Sequence, residues 1–581
     1  MKLLIPIYNN RVFFVFMYLL GALCIYTTGE KSYLPFFVTL FAELFLDLYL
    51  LCLLLLCFPP KVRSFCHFTL SFLFYSLAIV DLFCFYRFGT TISPNILRLI
   101  TETNSTEASE FLHAYITTGI ILSPLGLIFL LILLNIHIVF LSFPKLPLKI
   151  NSSFFLYIII FILLIGIISA AKNKRLLIQT WKYKSISEIE NFFGTEFYAS
   201  RAQYLPIYRM AFALHASNMA RQQVKTLIQT IDNAKIDSCS FTSPNIILII
   251  GESYNKHHSQ LYGYTLPTTP KQLEWKEKEQ LFVFNDAIAP YNITSDVFKC
   301  MFSLNNISEG EEWCDKPLFT CLFKQAGYHV SFISNEFVLK KNENFADFSG
   351  SMFINDPQIS DLQFDTRNKE THSFDEELIN DYKSMNQKEI KNRLTIFTLM
   401  GQHVEYKDRF PKAYTKFSAK DYKRNDLTNK EKQIIADYDN ATLYNDIIVN
   451  SIIQLFAHED AIIIYISDHG EECYDEIKTF GRLHHFEISK YMAKNEFQIP
   501  FWIWCSESYK GNHPDIVKAI IKSSQRPFIS DNLSHLLLYL GGITCPYYQD
   551  ELNIISSKYN IKKRLLRGKH DYEKIMQTTQ K

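Results

Sequence analysis

The chain has 581 residues, enough for two or more domains. Its 59 Lys and Arg nearly balance 58 Asp and Glu, so the net charge of +1 gives no support to a nucleic-acid partner. Apolar residues dominate up to residue 171 and thin out beyond it, which excludes a wholly water-soluble chain.

Five apolar stretches are long enough to span a bilayer, which takes about 20 residues of helix. They lie near 11–28, 35–58, 66–87, 116–143 and 153–171. Lys2 and Arg11 precede the first, as in a signal peptide, but no small-x-small cleavage site follows and four more spans do. The connections at 59–63 and 144–149 are short and basic, which places them and the amino terminus in the cytoplasm. Residue 172 onward then emerges on the outer face, the periplasm of a bacterium. Glu43 and Asp47 sit one turn apart inside the second span. Carboxylates there are costly, and they are expected to face the bundle interior and pair, although no basic partner stands near them in sequence. The outer loop 87–115 is expected to hold an amphipathic helix capped by Asn104 or Ser105.

Lys172, Lys174 and Arg175 follow the last span, on the side the positive-inside rule disfavours. They are expected to snorkel to lipid headgroups. Residues 172–243 read as a helical bridge, with a helical pattern over 207–227 and breakers over 238–244.

From 244 to 581 the pattern is that of a soluble α/β domain. Buried-strand runs at 245–250, 330–334, 394–400, 461–467 and 499–504 alternate with helical segments, which predicts a mainly parallel sheet. Such sheets place their sites at the carboxyl ends of the strands. The first run ends in Glu252, the third in Gly401-Gln402-His403 and the fourth in Asp468-His469. A Glu, an Asp and two His at one sheet edge have the chemistry of a metal site for phosphate esters. A further pair, His484-His485, follows Gly481-Arg482. A loop runs through Asn292-Ile293-Thr294-Ser295 into a helix. A hydroxyl there either caps the helix or serves as a nucleophile beside amide donors, and spacing alone does not choose between Thr294 and Ser295.

These motifs carry a family resemblance. Gly251-Glu252-Ser253, Leu261-Tyr262-Gly263-Tyr264, Thr268-Thr269-Pro270, Cys300-Met301-Phe302-Ser303, Met400-Gly401-Gln402-His403 and Ser467-Asp468-His469-Gly470-Glu471 occur in that order. The chain resembles the bacterial phosphoethanolamine transferases of the alkaline-phosphatase/sulfatase superfamily, which modify lipid A or the lipopolysaccharide core and include the mobile colistin-resistance enzymes. The resemblance implies a five-helix transmembrane bundle (1–171), the bridge (172–243) and a periplasmic sulfatase-like α/β domain (244–581). It implies zinc, ahead of manganese, held by Glu252, Thr294, Asp468 and His469, with room for a second ion. Thr294 becomes the nucleophile, six residues before Cys300. His403 and one of His484 and His485 are implied as phosphoryl contacts or proton donors. Asn335, Thr103 and Glu107 match substrate-binding positions. Where the lipid A enzymes carry a Cys paired to that of Cys-Met-Phe-Ser, this chain has Pro290, so that disulfide is absent.

The implied reaction moves phosphoethanolamine from phosphatidylethanolamine to a cell-envelope glycolipid through a phospho-Thr294 intermediate, by a monomer in the inner membrane. Adding a cationic group to an anionic lipid would weaken attraction of cationic peptides such as polymyxin. Alternatives are a phosphoglycerol transferase of the lipoteichoic-acid-synthase kind, a phosphatase or sulfatase, and a non-enzymatic sensor. Of twelve Cys, five lie in the spans. Among the rest, Cys314–Cys321 and Cys300–Cys314 are candidate disulfides by closeness in sequence.

Overall fold

The computed structural model describes residues 2–29, 34–88, 91–93, 97, 122–140, 153–183, 189, 192, 202–336, 351–385, 390–482, 488–560 and 562–577. The chain divides into two compact units, Met1–Arg221 and Gln222–Lys581.

The first unit is helical: α1 (Arg11–Thr28), α2 (Leu34–Leu55), α3 (Pro60–Phe88), α4 (Pro124–Phe140) and α5 (Ser153–Thr180), followed by α6 (Pro206–Asn233), which runs on past Arg221. Among the described residues four helices are long and apolar enough to cross a membrane, within α1, α2, α3 and α5. The apolar part of α4, Pro124–Val139, is shorter. The flanks of the expected fourth span, 116–121 and 141–143, lie outside the described residues. Two expected boundaries move. Helix α3 begins at Pro60 rather than near 66, because proline at a first helical position costs no hydrogen bond. Helix α5 continues to Thr180, since 170–179 contains no Gly or Pro and is mostly Ala, Lys, Arg, Leu and Gln, all good helix formers.

That extension corrects the reading of Lys174. Its ammonium turns back into the bundle, 2.7 Å from Asp47 Oδ2 and 3.1 Å from Glu43 Oε1. Ser169 and Asn173 donate to Glu43, and the hydroxyls of Tyr204 and Tyr208 donate to Asp47. The intramembrane carboxylates therefore do pair, with a lysine 127 residues away. A carboxylate buried in hydrocarbon is strongly unfavourable until such donors surround it. Arg209 and Asp81 form a second buried pair, completed by Thr28 Oγ1 and the Ile92 amide.

The second unit is built on a seven-stranded sheet. Its strands are β1 (Asn245–Gly251), β2 (Leu281–Phe284), β3 (His329–Ser334), β4 (Thr366–Arg367), β5 (Arg393–Thr398), β6 (Ile462–Ser467) and β7 (Phe501–Cys505). They lie in the order β2-β7-β6-β1-β5-β3-β4. From β6 to β4 every pairing is parallel, and β7 runs antiparallel to both β6 and β2. The central strand β1 is buried along its whole length, as its unbroken Ile run demands. Each fully buried Ile or Leu there contributes about 1.5–3 kcal/mol of transfer free energy. Helix α7 (Thr294–Phe302) and the 28-residue α8 (Asn429–Phe456) belong to this unit. Ile448, Ile452 and Phe456 of α8 join Ile247 and Ile249 of β1 and Ile463 of β6 in one core. This core fixes β1 against its neighbours and so fixes what stands at their carboxyl ends.

All twelve cysteines are free thiols, so neither candidate disulfide forms. Cys314 and Cys321 are both buried and serve as small apolar side chains.

Candidate active site

Three adjacent parallel strands, β6, β1 and β5, end at one edge of the sheet. In register, Gly251 of β1 faces Ser467 of β6, so Glu252 emerges beside Asp468 and His469. One donor atom from each of these three side chains lies within 4.8 Å of the others, and all three are buried. The loop after β5 closes against them: Leu399 N–H donates to Ile250 O and Gln402 N–H to Glu252 O. Gly401 lies between, at φ +46°, where a Cβ would stand 3.0 Å from Glu252 O. His403 follows on this loop, its backbone N–H donating to Met400 O.

Thr294 is the first residue of α7, and its side chain makes no capping bond. Its Oγ1 instead lies 3.2 Å from Glu252 Oε2 and 3.3 Å from His469 Nε2. The hydroxyl is thus aimed at the carboxylate and imidazole, and the capping alternative falls away. Ser295, beside it, makes neither contact and is buried with its Oγ unbonded.

The backbone holds this cluster in a strained form. Ser253 has φ 55°, rare for a residue with a side chain. Three bonds over-determine it: its N–H donates to Asp468 Oδ1, its hydroxyl to Glu252 Oε1, and its carbonyl accepts from Tyr438 of α8. His469 Nδ1 donates to Gly470 O at 2.7 Å, which leaves Nε2 unprotonated and facing Thr294. Gly470 itself has no room for a side chain, since a Cβ would sit 2.1 Å from Asn495 O. Gly470→Ala is therefore expected to displace the His469 wall and weaken metal binding roughly tenfold or more. Zinc titration of the purified variant checks this, and unchanged affinity would contradict it.

The electrostatics point to a cation. Burial pushes the Asp468 carboxyl well above the usual carboxylate range, and the charge on Glu252 pushes it the same way. Burial opposes ionisation of Glu252 too, yet His469, Asp468 and Arg482 together hold it down at about 2. His469 is lowered to about 4 by burial and by Arg482. Asp468 Oδ2 is fully buried, accepts no hydrogen bond, and lies 3.1 Å from the unprotonated His469 Nε2, two lone-pair atoms facing each other. Two carboxylates, an imidazole nitrogen and a hydroxyl converge with one oxygen orphaned, a donor set that suits zinc. The residues present therefore fit a bound divalent ion.

Other expected residues fall elsewhere. Asn335 directly follows β3 but is buried, with both ends of its amide engaged: Nδ2 donates to Asp375 Oδ1, and Oδ1 accepts from the His372 amide. His484, His485, Thr103 and Glu107, together with the loop helix at Asn104 or Ser105, lie outside the described residues. Two residues bonded to this cluster escape sequence reading. Asp375 accepts from the amides of Met400 and Gly401 and so ties down the His403 loop. Arg482 donates from Nη1 to His469 Nε2 at 3.2 Å, bringing a guanidinium into the cluster. Asp375 stands in no motif. Arg482 sits within three residues of the histidine pair that drew attention instead.

A mainly parallel α/β sheet thus carries, at its carboxyl edge, a cluster of metal-ligand type with an adjacent hydroxyl. A family model for sulfatases matches residues 244–543, and the chain belongs to the sulfatase family. It is 26% identical over 495 residues to phosphoethanolamine transferase EptC of Escherichia coli K12, covering 82% of this chain and 80% of that one. It is 27% identical over 519 residues to phosphoethanolamine transferase CptA of Salmonella typhimurium, covering 86% and 84%. Among solved structures, the C-terminal periplasmic domain of EptC from Escherichia coli, in complex with Zn, matches with a TM-score of 0.50 and 25% identity. That match covers 59% of this chain and 95% of the domain.

Proposed function

We propose that this protein is a zinc-dependent phosphoethanolamine transferase of the inner membrane, acting on lipid A or the lipopolysaccharide core. Its soluble region, 244–581, would work in the periplasm, carried by the membrane helices and the bridge at 172–243. The observation that carries the reading is the aim of Thr294 Oγ1 at Glu252 and His469. The relatives EptC and CptA, both named phosphoethanolamine transferases, supply the group transferred.

The ion would be held by Glu252, Asp468, His469 and Thr294 Oγ1, and when bound it would acidify the hydroxyl and neutralise phosphoryl charge. Thr294 Oγ, its hydroxyl proton released to water, attacks the phosphorus of phosphatidylethanolamine. The bond from phosphorus to Thr294 forms as the bond to the diacylglycerol oxygen breaks. His403, or one of His484 and His485, gives the departing oxygen its proton. Arg482, whose Nη1 reaches His469 Nε2, would give its donors to the phosphoryl oxygens, which a planar guanidinium suits. An acceptor hydroxyl or phosphate on the glycolipid then gives its proton back to that histidine and attacks the same phosphorus, the bond to Thr294 breaks, and the Thr294 oxygen is restored. Two half-reactions through one covalent intermediate give ping-pong kinetics.

Incubating the detergent-purified chain with phosphatidylethanolamine and no acceptor tests this by intact-mass and peptide mass spectrometry. The expected result is phosphoethanolamine on Thr294, lost on metal chelation. A phosphoglycerol adduct from phosphatidylglycerol would instead assign the lipoteichoic-acid-synthase chemistry. Rapid release of a soluble ester product with no adduct would make the protein a hydrolase.

A further inference from the structure

No disulfide holds the loop that presents Thr294, and Cys300 at the far end of the motif is a free thiol. Charge and hydrogen bonds hold it instead. Arg567 N–H donates to Pro290 O at 2.7 Å, and Arg567 Nη2 donates to Asn292 Oδ1 at 2.9 Å. Asn292 Nδ2 in turn donates to Glu496 Oε2 at 2.7 Å. Asn292 and Glu496 are fully buried. The cation on one side of the Asn292 amide and the anion on the other allow only one orientation of it, and both bonds are charge-assisted.

Glu496 belongs to a π-helical turn, Ala493–Phe497, a rare element that recurs at functional sites. The turn also grips the opposite wall. Glu496 O accepts from Gly470 N–H at 2.8 Å, one residue after His469. Asn495 Nδ2 donates to Glu472 Oε2, and Phe497 O accepts from Ala289 N–H. One residue, Glu496, is therefore bonded through its carboxylate to the nucleophile loop and through its carbonyl to the wall carrying Asp468 and His469.

We propose that Glu496, Asn292 and Arg567 are positioning residues that set the separation between the Thr294 hydroxyl and the Asp468–His469 wall, in place of a disulfide. This rests on Thr294 being the nucleophile. None of the three touches the reacting atoms. They act by holding Thr294 in its attack position, where an error of about 1 Å costs on the order of 10²-fold in rate.

The test uses the full-length chain in detergent and measures the rate of adduct formation on Thr294 from phosphatidylethanolamine, the KM for that lipid, the zinc content and Tm. Asn292→Ala is expected to slow adduct formation about 10²-fold, with KM and zinc content near those of the unaltered chain. Asn292→Asp sets a second carboxylate against Glu496 and is expected to be at least as slow. The double variant Asn292→Asp/Glu496→Gln reverses the polarity of the bond, with the new amide at 496 donating to the new carboxylate at 292, and is expected to recover most of the rate. Three results would overturn the proposal: a normal rate in Asn292→Ala, a loss in step with lost zinc, or a double variant no faster than Asn292→Asp. If the unaltered chain forms no adduct on Thr294, the nucleophile reading fails first. If it forms the adduct and Asn292→Ala does so equally fast, only the positioning role fails.

Discussion

Thr294→Ala is expected to leave no covalent adduct and to lower transfer about 10⁴-fold or more, the scale on which removal of a catalytic nucleophile acts. The loss follows from geometry. Thr294 Oγ1 stands 3.2 Å from Glu252 Oε2 and 3.3 Å from His469 Nε2, and the neighbouring Ser295 hydroxyl makes neither contact. Ser295 therefore cannot substitute. Thr294→Ser keeps an oxygen on the same helix position and is expected to form the adduct, within about tenfold of the normal rate, because only a methyl is lost. Peptide mass spectrometry and a transfer assay on both variants check this. An adduct that persists in Thr294→Ala would place the nucleophile elsewhere and dismantle the proposed mechanism.

The second large effect concerns the ion. Asp468→Ala, or chelation of the unaltered chain, is expected to reduce transfer by about 10³-fold or more. A metal supplies several kcal/mol of charge stabilisation, and each 1.36 kcal/mol is a factor of ten. Stability should follow as well. A ligand present at a hundredfold excess over its Kd adds about 2.7 kcal/mol to the native state. Chelation should therefore lower the Tm of the unaltered chain and leave that of Asp468→Ala unmoved. Gly470→Ala, which keeps all four donors but crowds Asn495 O, should lie between the two. Equal Tm with and without chelator in the unaltered chain would speak against an ion in this cluster.

The membrane unit shows where reading by sequence proximity stops. Glu43 and Asp47 have no basic residue near them along the chain, yet Lys174 reaches both. The pairing needs α2 and α5 packed together, which no local pattern announces. The same holds for Arg209 and Asp81. In the soluble unit the distances along the chain are larger still. Arg567 meets Asn292 across 275 residues, and Asn292 meets Glu496 across 204.

Much of the molecule was nevertheless written in its local order. The Ile runs at 245–250 and 461–467 specify buried parallel strands because their apolar residues fill both faces. Carboxylates and histidines at the ends of such strands are drawn to one edge by the topology alone, so Glu252, Asp468, His469 and His403 could be named together. Motif order carried the family. What only the tertiary structure decided was direction and partnership. The choice of Thr294 over Ser295 depends on which way a hydroxyl points at the start of α7, and adjacent residues do not differ in that until the helix is docked. The free state of Cys300, Cys314 and Cys321 depends on packing rather than spacing. Arg482, Asp375 and Glu496 join the site only when separate loops converge. A side chain's role is set by the few atoms within hydrogen-bond reach of it, and in a sheet that pairs Gly251 of β1 with Ser467 of β6, those atoms are supplied by the fold.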